Sequence, residues 1–349
     1  MGRRLFQPPA AFCSSVIASL SGGEVALNDG SMLDWRTRQS AIRGSFPDIM
    51  SVLLETNLPL PLLHRGKVRD NYQLGDKLLM VASDRISAFD VVLPCGIPEK
   101  GAVLNLMSAF WFGKTAHIVP NHLLEVVKDA GQLRAHGRKG YDFPSGLANR
   151  SMIVRKAKRV AVECVVRGYL SGSAWAEYSD KGSINGVAMR SGMKESETLA
   201  EPIFTPTTKA ESGHDQPLSI DEMSELVGRE LTGELKEKTL AVYRFAEEYA
   251  RARGIIIADT KMEFGLVDGK VVLIDELLTP DCSRFWDAGQ YVVGRSQPSY
   301  DKQMVRDWLT ASGWNKEPPA PMLPEDLIKK TSEKYQEAYR ILTGRRLYQ

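Results

Sequence analysis

Residues 255–276 read IIIADTKMEFGLVDGKVVLIDE. Two apolar runs flank the pair Asp268-Gly269, and this pattern is typical of a β-hairpin. Three charged residues of the first run lie two positions apart, so in a strand they share one face. They are Asp259, Lys261 and Glu263. The other face is apolar and is predicted to hold Ile256, Ala258, Met262 and Phe264.

The length of the turn decides where the carboxylate of Asp275 points. A two-residue loop places Glu263 opposite Ile274, whereas a three-residue loop over 268–270 places it opposite Asp275. We predict the three-residue loop, because it alone pairs the two acids on one face. Adjacent ionised carboxylates repel, and Mg²⁺ would remove the repulsion. The alternative is a solvated strand face on which Glu263 forms an ordinary salt bridge to Lys261.

The composition excludes several classes of function. The 349 residues include 45 basic and 43 acidic side chains, for a net charge of +2. So small a charge provides no general field for nucleic acid or a membrane surface, and neither is an expected partner. The four cysteines form no C-x-x-C pair, which favours reduced thiols and a cytoplasmic location. Residues 1–23 loosely resemble a transit peptide, but we favour a poorly ordered extension.

Periodicity and turn signals predict the remaining elements. Ser219 and Glu222 form a capping-box pattern at the start of a long helical region. Residues 168–219 are rich in glycine, proline, serine and threonine, and we interpret them as a functional irregular stretch. Strands are predicted within 62–82, on either side of a turn at Gly75-Asp76, and within 151–167. Helices are predicted over 104–115, 301–311 and 325–343.

Several loops combine cations with small residues. Gly66, Lys67 and Arg69 lie in RGKVRD (65–70), where glycine would let the backbone approach a phosphate; the alternative is a basic hairpin turn. SDRISAFD (83–90) follows an apolar strand, as ligand-binding loops often do, or is a plain cap and turn. RGYLSGS (167–173) suits a phosphate monoester or a tight surface turn. Arg284 follows as a further candidate for an anion.

These segments are similar to those of the phosphoribosylaminoimidazole-succinocarboxamide synthase (SAICAR synthetase) family, from about residue 62 to residue 311. The similarity lies in RGKVRDNY, ASDRISAFD, IPEKG, VECVVRGYLSGSAWAEY, EPIFTPTTKAESGHD, IIIADTKMEFG, LIDELLTPDCSRFWD and SYDKQMVRDWL. The resemblance implies an ATP- and Mg²⁺-dependent ligase with three small-molecule substrates. These are ATP, carboxyaminoimidazole ribonucleotide and L-aspartate. It also implies an α+β fold, with a smaller antiparallel β domain and a larger domain related to ATP-grasp enzymes.

The resemblance implies roles for individual residues. The ATP-binding residues would be Gly66, Lys67, Arg69 and Lys209. The catalytic residues would be Lys261, Asp281 and Lys209. The substrate-binding residues would be Asp84, Arg85, Ser87, Arg167, Ser171, Ser173, Asp215 and Arg284. The metal ligands would be Glu263 and Asp275.

The predicted domains follow from the same likeness. Residues 1–55 form an extension, 56–160 the smaller domain, 161–311 the larger domain and 312–349 a C-terminal helical segment. Two other functions share the lysines and acids: a small-molecule kinase, and a nucleotide-binding protein without catalysis.

Overall fold

The computed structural model describes residues 25–26, 32–33, 52–136, 141–209 and 215–348. The chain divides into two units, Met1–Met50 and Ser51–Gln349. In the first, strands β1 (Val25–Ala26) and β2 (Met32–Leu33) pair antiparallel. The predicted N-terminal extension lies almost entirely outside the described residues. The following paragraphs concern the second unit.

A five-stranded antiparallel sheet has the order β3-β4-β5-β9-β8. Its strands are β3 (Leu62–Arg65), β4 (Arg69–Leu74), β5 (Lys77–Ala82), β8 (Leu123–Val127) and β9 (Ser151–Arg155). β4 and β5 meet at the predicted Gly75-Asp76 turn, which confirms the strands predicted within 62–82 and places Gly66 between β3 and β4. Two short antiparallel pairs lie apart from it: β6 (Arg85–Ala88) with β7 (Val91–Gly96), and β11 (Ser183–Ile184) with β12 (Val187–Ala188).

A six-stranded sheet carries the charged hairpin. Strands β13-β10-β15-β16 follow one another, while β14 pairs with β10 and β17 pairs with β15. The strands are β10 (Lys158–Tyr169), β13 (Thr198–Phe204), β14 (Thr207–Thr208), β15 (Ile255–Val267), β16 (Lys270–Ile274) and β17 (Ser283–Asp287). β10 and β15 are long and central, so their side chains are held from both sides.

Six α-helices are described. They are α1 (Lys100–Thr115), α2 (Gly172–Lys181), α3 (Ile220–Val227), α4 (Arg229–Arg251), α5 (Gln303–Ala311) and α6 (Glu325–Thr343). The capping box before α3 is confirmed: the Ser219 hydroxyl accepts from the Glu222 N–H at 3.2 Å, and the Glu222 carboxylate accepts from the Ser219 N–H at 2.7 Å. α2 was missed, because its segment was interpreted as irregular.

The helices pack on the six-stranded sheet around one large apolar core. Its largest fully buried side chains include Trp111, Tyr243, Phe264 and Tyr335, which come from α1, α4, β15 and α6. Antiparallel sheets with helices gathered on them confirm the predicted α+β class. In the described part of the chain, no helix is both long and apolar enough to span a membrane. The division at residue 160 stays a prediction.

The predicted register of the hairpin is wrong. Val267 pairs with Lys270 and Glu263 pairs with Ile274, so the loop has two residues rather than three. Asp268 and Gly269 have φ values of 50° and 75°. Positive φ at both central positions matches a type I′ turn, whose twist suits the flanking strands better than a longer loop does.

The apolar face of β15 is also less regular than predicted. Met262 and Phe264 belong to the main core, but Ile256 and Ala258 pack in a separate cluster with Trp286. The pairing of β15 with β17 shifts between Ile257 and Asp259. This irregularity changes the side that the first residues of the strand face.

We expect Gly269→Ala to lower the free energy of unfolding by about 1 kcal/mol, because a Cβ is disfavoured at positive φ. The control is Gly233→Ala inside α4, where a Cβ would meet no atom within 4 Å. Alanine there should raise the same free energy by about 0.5 kcal/mol. Denaturant unfolding measures both; equal signs for the two variants would contradict the turn assignment.

Candidate functional site

Two glutamates and two lysines form the centre of the charged face. Glu163 on β10 lies directly across from Glu263 on β15. The Lys209 ammonium donates to Glu163 at 2.6 Å and to Glu263 at 2.5 Å, and Lys261 donates to Glu163 at 2.7 Å. The Glu163 side chain is only 3% exposed. The lysines therefore neutralise carboxylates that burial would otherwise penalise.

Asp275 joins this cluster by a route that the strand pattern did not predict. β16 ends at Ile274, and Asp275 has a φ of 64°, which turns the chain out of the strand. Its carboxylate accepts from the Arg69 guanidinium at 3.0 and 3.1 Å. Burial and the nearby Asp275 carboxylate raise the pKa of Glu263. The two predicted metal ligands therefore interact, although they do not face each other in the hairpin.

The acids suit a hard divalent cation. No cluster of three His, Cys, Asp or Glu side chains with metal-binding geometry occurs in the described ranges. Mg²⁺ in nucleotide sites is commonly held by one or two carboxylates together with phosphate oxygens, so two acids are sufficient. The repulsion that raises the pKa of Glu263 is the interaction that a cation would relieve.

Arg69 connects the glycine loop to the acids. The loop closes with a hydrogen bond from the Gly66 N–H to the Arg69 carbonyl at 2.7 Å. The Arg69 guanidinium also contacts Glu276 at 2.7 Å. Lys67 is half-exposed and pairs with Asp90. A phosphate-sized anion beside this loop would therefore meet one accessible lysine and one anchored arginine.

Arg85 supports the glycine loop through hydrogen bonds to its backbone. Its guanidinium donates to the carbonyls of Gly66 at 3.0 Å, Lys67 at 3.1 Å and Leu54 at 2.5 Å, and to the Asp70 carboxylate at 2.7 Å. These contacts occupy the side chain within the protein. The predicted contact of Arg85 with substrate stays a prediction. The geometry supports a structural role, in which Arg85 holds the glycine loop in place.

Asp84 is fully buried beside it. Its carboxylate accepts from the N–H groups of Leu53 at 2.7 Å and Gly101 at 2.8 Å and from Arg150 at 2.9 Å. Ser87 is also buried, on β6. Asp84 therefore links the start of α1 to the five-stranded sheet. The predicted substrate contacts of Asp84 and Ser87 stay predictions.

Two predicted phosphate-binding arginines share one acid. Arg284 on β17 pairs with Asp259, and Arg167 on β10 lies 3.5 Å from the same carboxylate. Arg167 also donates to the Ser173 hydroxyl at 3.1 Å. The Ser171 hydroxyl lies 3.4 Å from Asp259. The structure thus brings together four of the predicted substrate-binding residues around Asp259.

A cavity of about 160 Å³ opens beside Arg284. Ser171 and Gly172 line it. Gly172 has a φ of 56°, and a Cβ on it would lie 2.1 Å from the Arg284 guanidinium. Glycine is needed here because both the backbone conformation and the close approach of the arginine exclude a side chain.

The surroundings of Asp281 are unlike those expected of a residue that transfers protons. Its carboxylate accepts from Lys100 and from the Tyr335 hydroxyl, both at 2.7 Å, and Lys302 lies 3.8 Å away. Burial opposes ionisation, but Lys100 and Lys302 hold the pKa of Asp281 well below its usual range. The geometry therefore disfavours a general acid or base, and the predicted catalytic role stays a prediction. Asp215 borders residues 210–214, which lie outside the described ranges.

The sequence predictions missed Glu163 and Lys100 and left Asp259 without a role. A signal for Glu163 was available: it is a lone acid in the apolar strand VAVECVV, at the same parity as Arg167. Lys100 had no such signal, because its partner Asp281 is 181 residues away.

We expect Glu163→Gln to lower the free energy of unfolding by about 3 kcal/mol, since two lysines lose a buried partner. The matched control is Glu201→Gln, whose pair with Arg244 is exposed and should contribute less than about 0.5 kcal/mol. Urea unfolding without divalent cations compares them. Equal losses would show that the buried Glu163 cluster contributes no more to stability than an exposed ion pair.

Comparison with known proteins gives a consistent result. A family model described as SAICAR synthetase matches residues 62–321. The phosphoribosylaminoimidazole-succinocarboxamide synthase of Thermodesulfovibrio yellowstonii is 52% identical over 302 residues, which cover 84% of this chain and 99% of that protein. The same enzyme of Geobacter metallireducens is 50% identical over 298 residues, covering 84% and 99%. The SAICAR-synthase from Saccharomyces cerevisiae complexed with SAICAR superposes with a TM-score of 0.76 at 42% identity, covering 86% and 99%.

Proposed function

This chain belongs to the SAICAR synthetase family, and on that premise we propose that Glu263 and Asp275 hold its Mg²⁺ beside the terminal phosphate of ATP. The enzyme is an ATP-dependent ligase that joins L-aspartate to carboxyaminoimidazole ribonucleotide in purine biosynthesis. The metal and the individual site residues are the proposal.

One observation carries the metal assignment: Glu263 and Asp275 lie in one charged cluster, where each carboxylate is paired with a cation. Lys209 contacts the first acid at 2.5 Å, and Arg69 contacts the second at 3.0 Å. Bound Mg²⁺ would shield the charge of the phosphates and orient them. The neighbouring Lys67 and Arg69 support the placement of ATP along the glycine loop, as predicted.

The reaction needs an activated carboxylate, because a carboxylate is a poor acyl donor. An oxygen of the imidazole carboxylate takes the terminal phosphoryl group of ATP, and ADP leaves. The L-aspartate amine then attacks the acyl carbon and loses a proton as the amide forms, and phosphate leaves with the electron pair of the carbon–oxygen bond. Lys209 and Lys261 lie where they could stabilise the negative charge during transfer, which is how such sites achieve most of their catalysis.

Arg284, Arg167 and Ser173 are proposed to hold the phosphate of the ribonucleotide. They converge near the cavity beside Gly172. Before substrate binds, Asp259 keeps the two arginines in place. This arrangement supports a substrate that enters with its phosphate towards β17 and its imidazole towards the acid–lysine cluster.

We also place the enzyme in a reducing compartment such as the cytoplasm. The three cysteines in the described ranges, Cys95, Cys164 and Cys282, are buried free thiols. Burial raises the pKa of the Cys164 thiol to about 12, so it stays protonated and unreactive.

Sustained release of ADP should require all three substrates. With ATP, Mg²⁺ and the ribonucleotide present, adding L-aspartate is expected to raise the steady rate of ADP release at least about 100-fold, because the amine consumes the acyl phosphate. A coupled ADP assay measures it, with D-aspartate as the control. Release that ignores L-aspartate would favour the kinase alternative.

Asp275→Asn should lower kcat at least about 100-fold and raise the Mg²⁺ concentration needed for half-maximal activity, because one charged ligand is lost. Asp268→Asn, the same change at the turn of the same hairpin, is the control and should behave as wild type. Circular dichroism checks folding, and isothermal titration with Mg²⁺ and ADP measures binding without turnover. Unchanged Mg²⁺ dependence in Asp275→Asn would refute the assignment.

A further inference from the structure

The C-terminal helix α6 reaches the buried carboxylate of Asp281. The Tyr335 hydroxyl donates to Asp281 Oδ1 at 2.7 Å, and Lys100 donates to Oδ2 at the same distance. Both Tyr335 and Lys100 are fully buried. Each carboxylate oxygen therefore has its own partner, and the two hydrogen bonds together hold the plane of the carboxylate.

The same helix also contacts the chain segments that carry Lys100 and Lys302, the other two groups near Asp281. The Ser332 hydroxyl donates to the Pro98 carbonyl at 2.7 Å, two residues before Lys100. The Lys334 ammonium lies 4.8 Å from the centre of the Tyr300 ring, two residues before Lys302. One turn of α6 thus contacts three separate parts of the chain at the point where they converge.

Asp281 belongs to a short segment that joins two proposed binding groups. Asp275 stands at its start, and Arg284 follows at its end. The turn between them is tight: the Asp281 N–H lies 3.2 Å from the Thr279 hydroxyl, and the Ser283 N–H donates to the Thr279 carbonyl at 2.9 Å. A rotation of Asp281 would therefore displace residues on both sides.

We propose that Tyr335 is a positioning residue for the ligase reaction, acting through Asp281 on the segment from Asp275 to Arg284. The inference rests on the proposed function, because the roles of Asp275 and Arg284 were proposed there. Tyr335 lies outside residues 62–321, which the family model matches. The active site is thus completed by a helix beyond the segment that the family model matches.

The test removes one oxygen atom. Tyr335→Phe keeps the ring in the core and should lower kcat roughly tenfold while raising KM for the ribonucleotide, as loss of a supporting hydrogen bond at a site does. Tyr339→Phe is the matched control: it lies one turn later in the same helix and is buried in the same core. It should stay within about twofold of wild type. Equal kinetics for the two variants would overturn the proposal.

A double-mutant cycle in unfolding free energy tests the link to Asp281 without turnover. Tyr335→Phe and Asp281→Asn together should destabilise less than the sum of the single changes. Additive effects would overturn the proposal.

If Tyr335→Phe does not fold, Ser332→Ala replaces it and should lower kcat roughly threefold, whereas an unchanged kcat would count against the helix. An unaltered Mg²⁺ dependence in Asp275→Asn would refute the metal site alone, because neither Tyr335 measurement depends on it.

Discussion

The structure depends on keeping buried carboxylates charged. Glu163 and Glu263 face each other across the two central strands, where ionised acids would push those strands apart. Lys209 bridges them, and Lys261 adds a second positive charge from the same face. Burial alone would favour protonated acids, but the two lysines hold the pKa of Glu163 below its usual range. They also oppose the rise in the pKa of Glu263 that burial and Asp275 cause.

The arginines of the site are likewise paired with acidic side chains. Asp259 holds Arg167 and Arg284, Asp275 holds Arg69, and Asp70 holds Arg85. Each guanidinium is already oriented by an acid before any substrate arrives. Such preorganisation lowers the cost of ordering long side chains when an anion binds. It also explains why a protein with almost no net charge can have strongly charged local sites.

The sequence predicted the long helices and the central strands because their signals are local. The capping box at Ser219, the turn at Gly75 and the last helix all depend on residues within a few positions of each other. The register prediction was wrong because it chose a three-residue loop in order to pair Glu263 with Asp275, whereas the turn at Asp268-Gly269 has two residues. Asp275 lies beyond the end of β16, where its positive φ turns the chain. Asp281 was singled out, but its partners Lys100 and Tyr335 are far away in the chain, and no local pattern connects them.

The conformation of Asp275 restricts which acid can stand there. Its left-handed backbone is tolerated by aspartate, asparagine and glycine far better than by residues with longer side chains. Glutamate would carry the same charge but would be disfavoured by the backbone, and its carboxylate would lie one methylene further from the main chain. The backbone conformation therefore favours aspartate over glutamate at position 275. Evolution should accept fewer substitutions there than the need for a negative charge alone would allow.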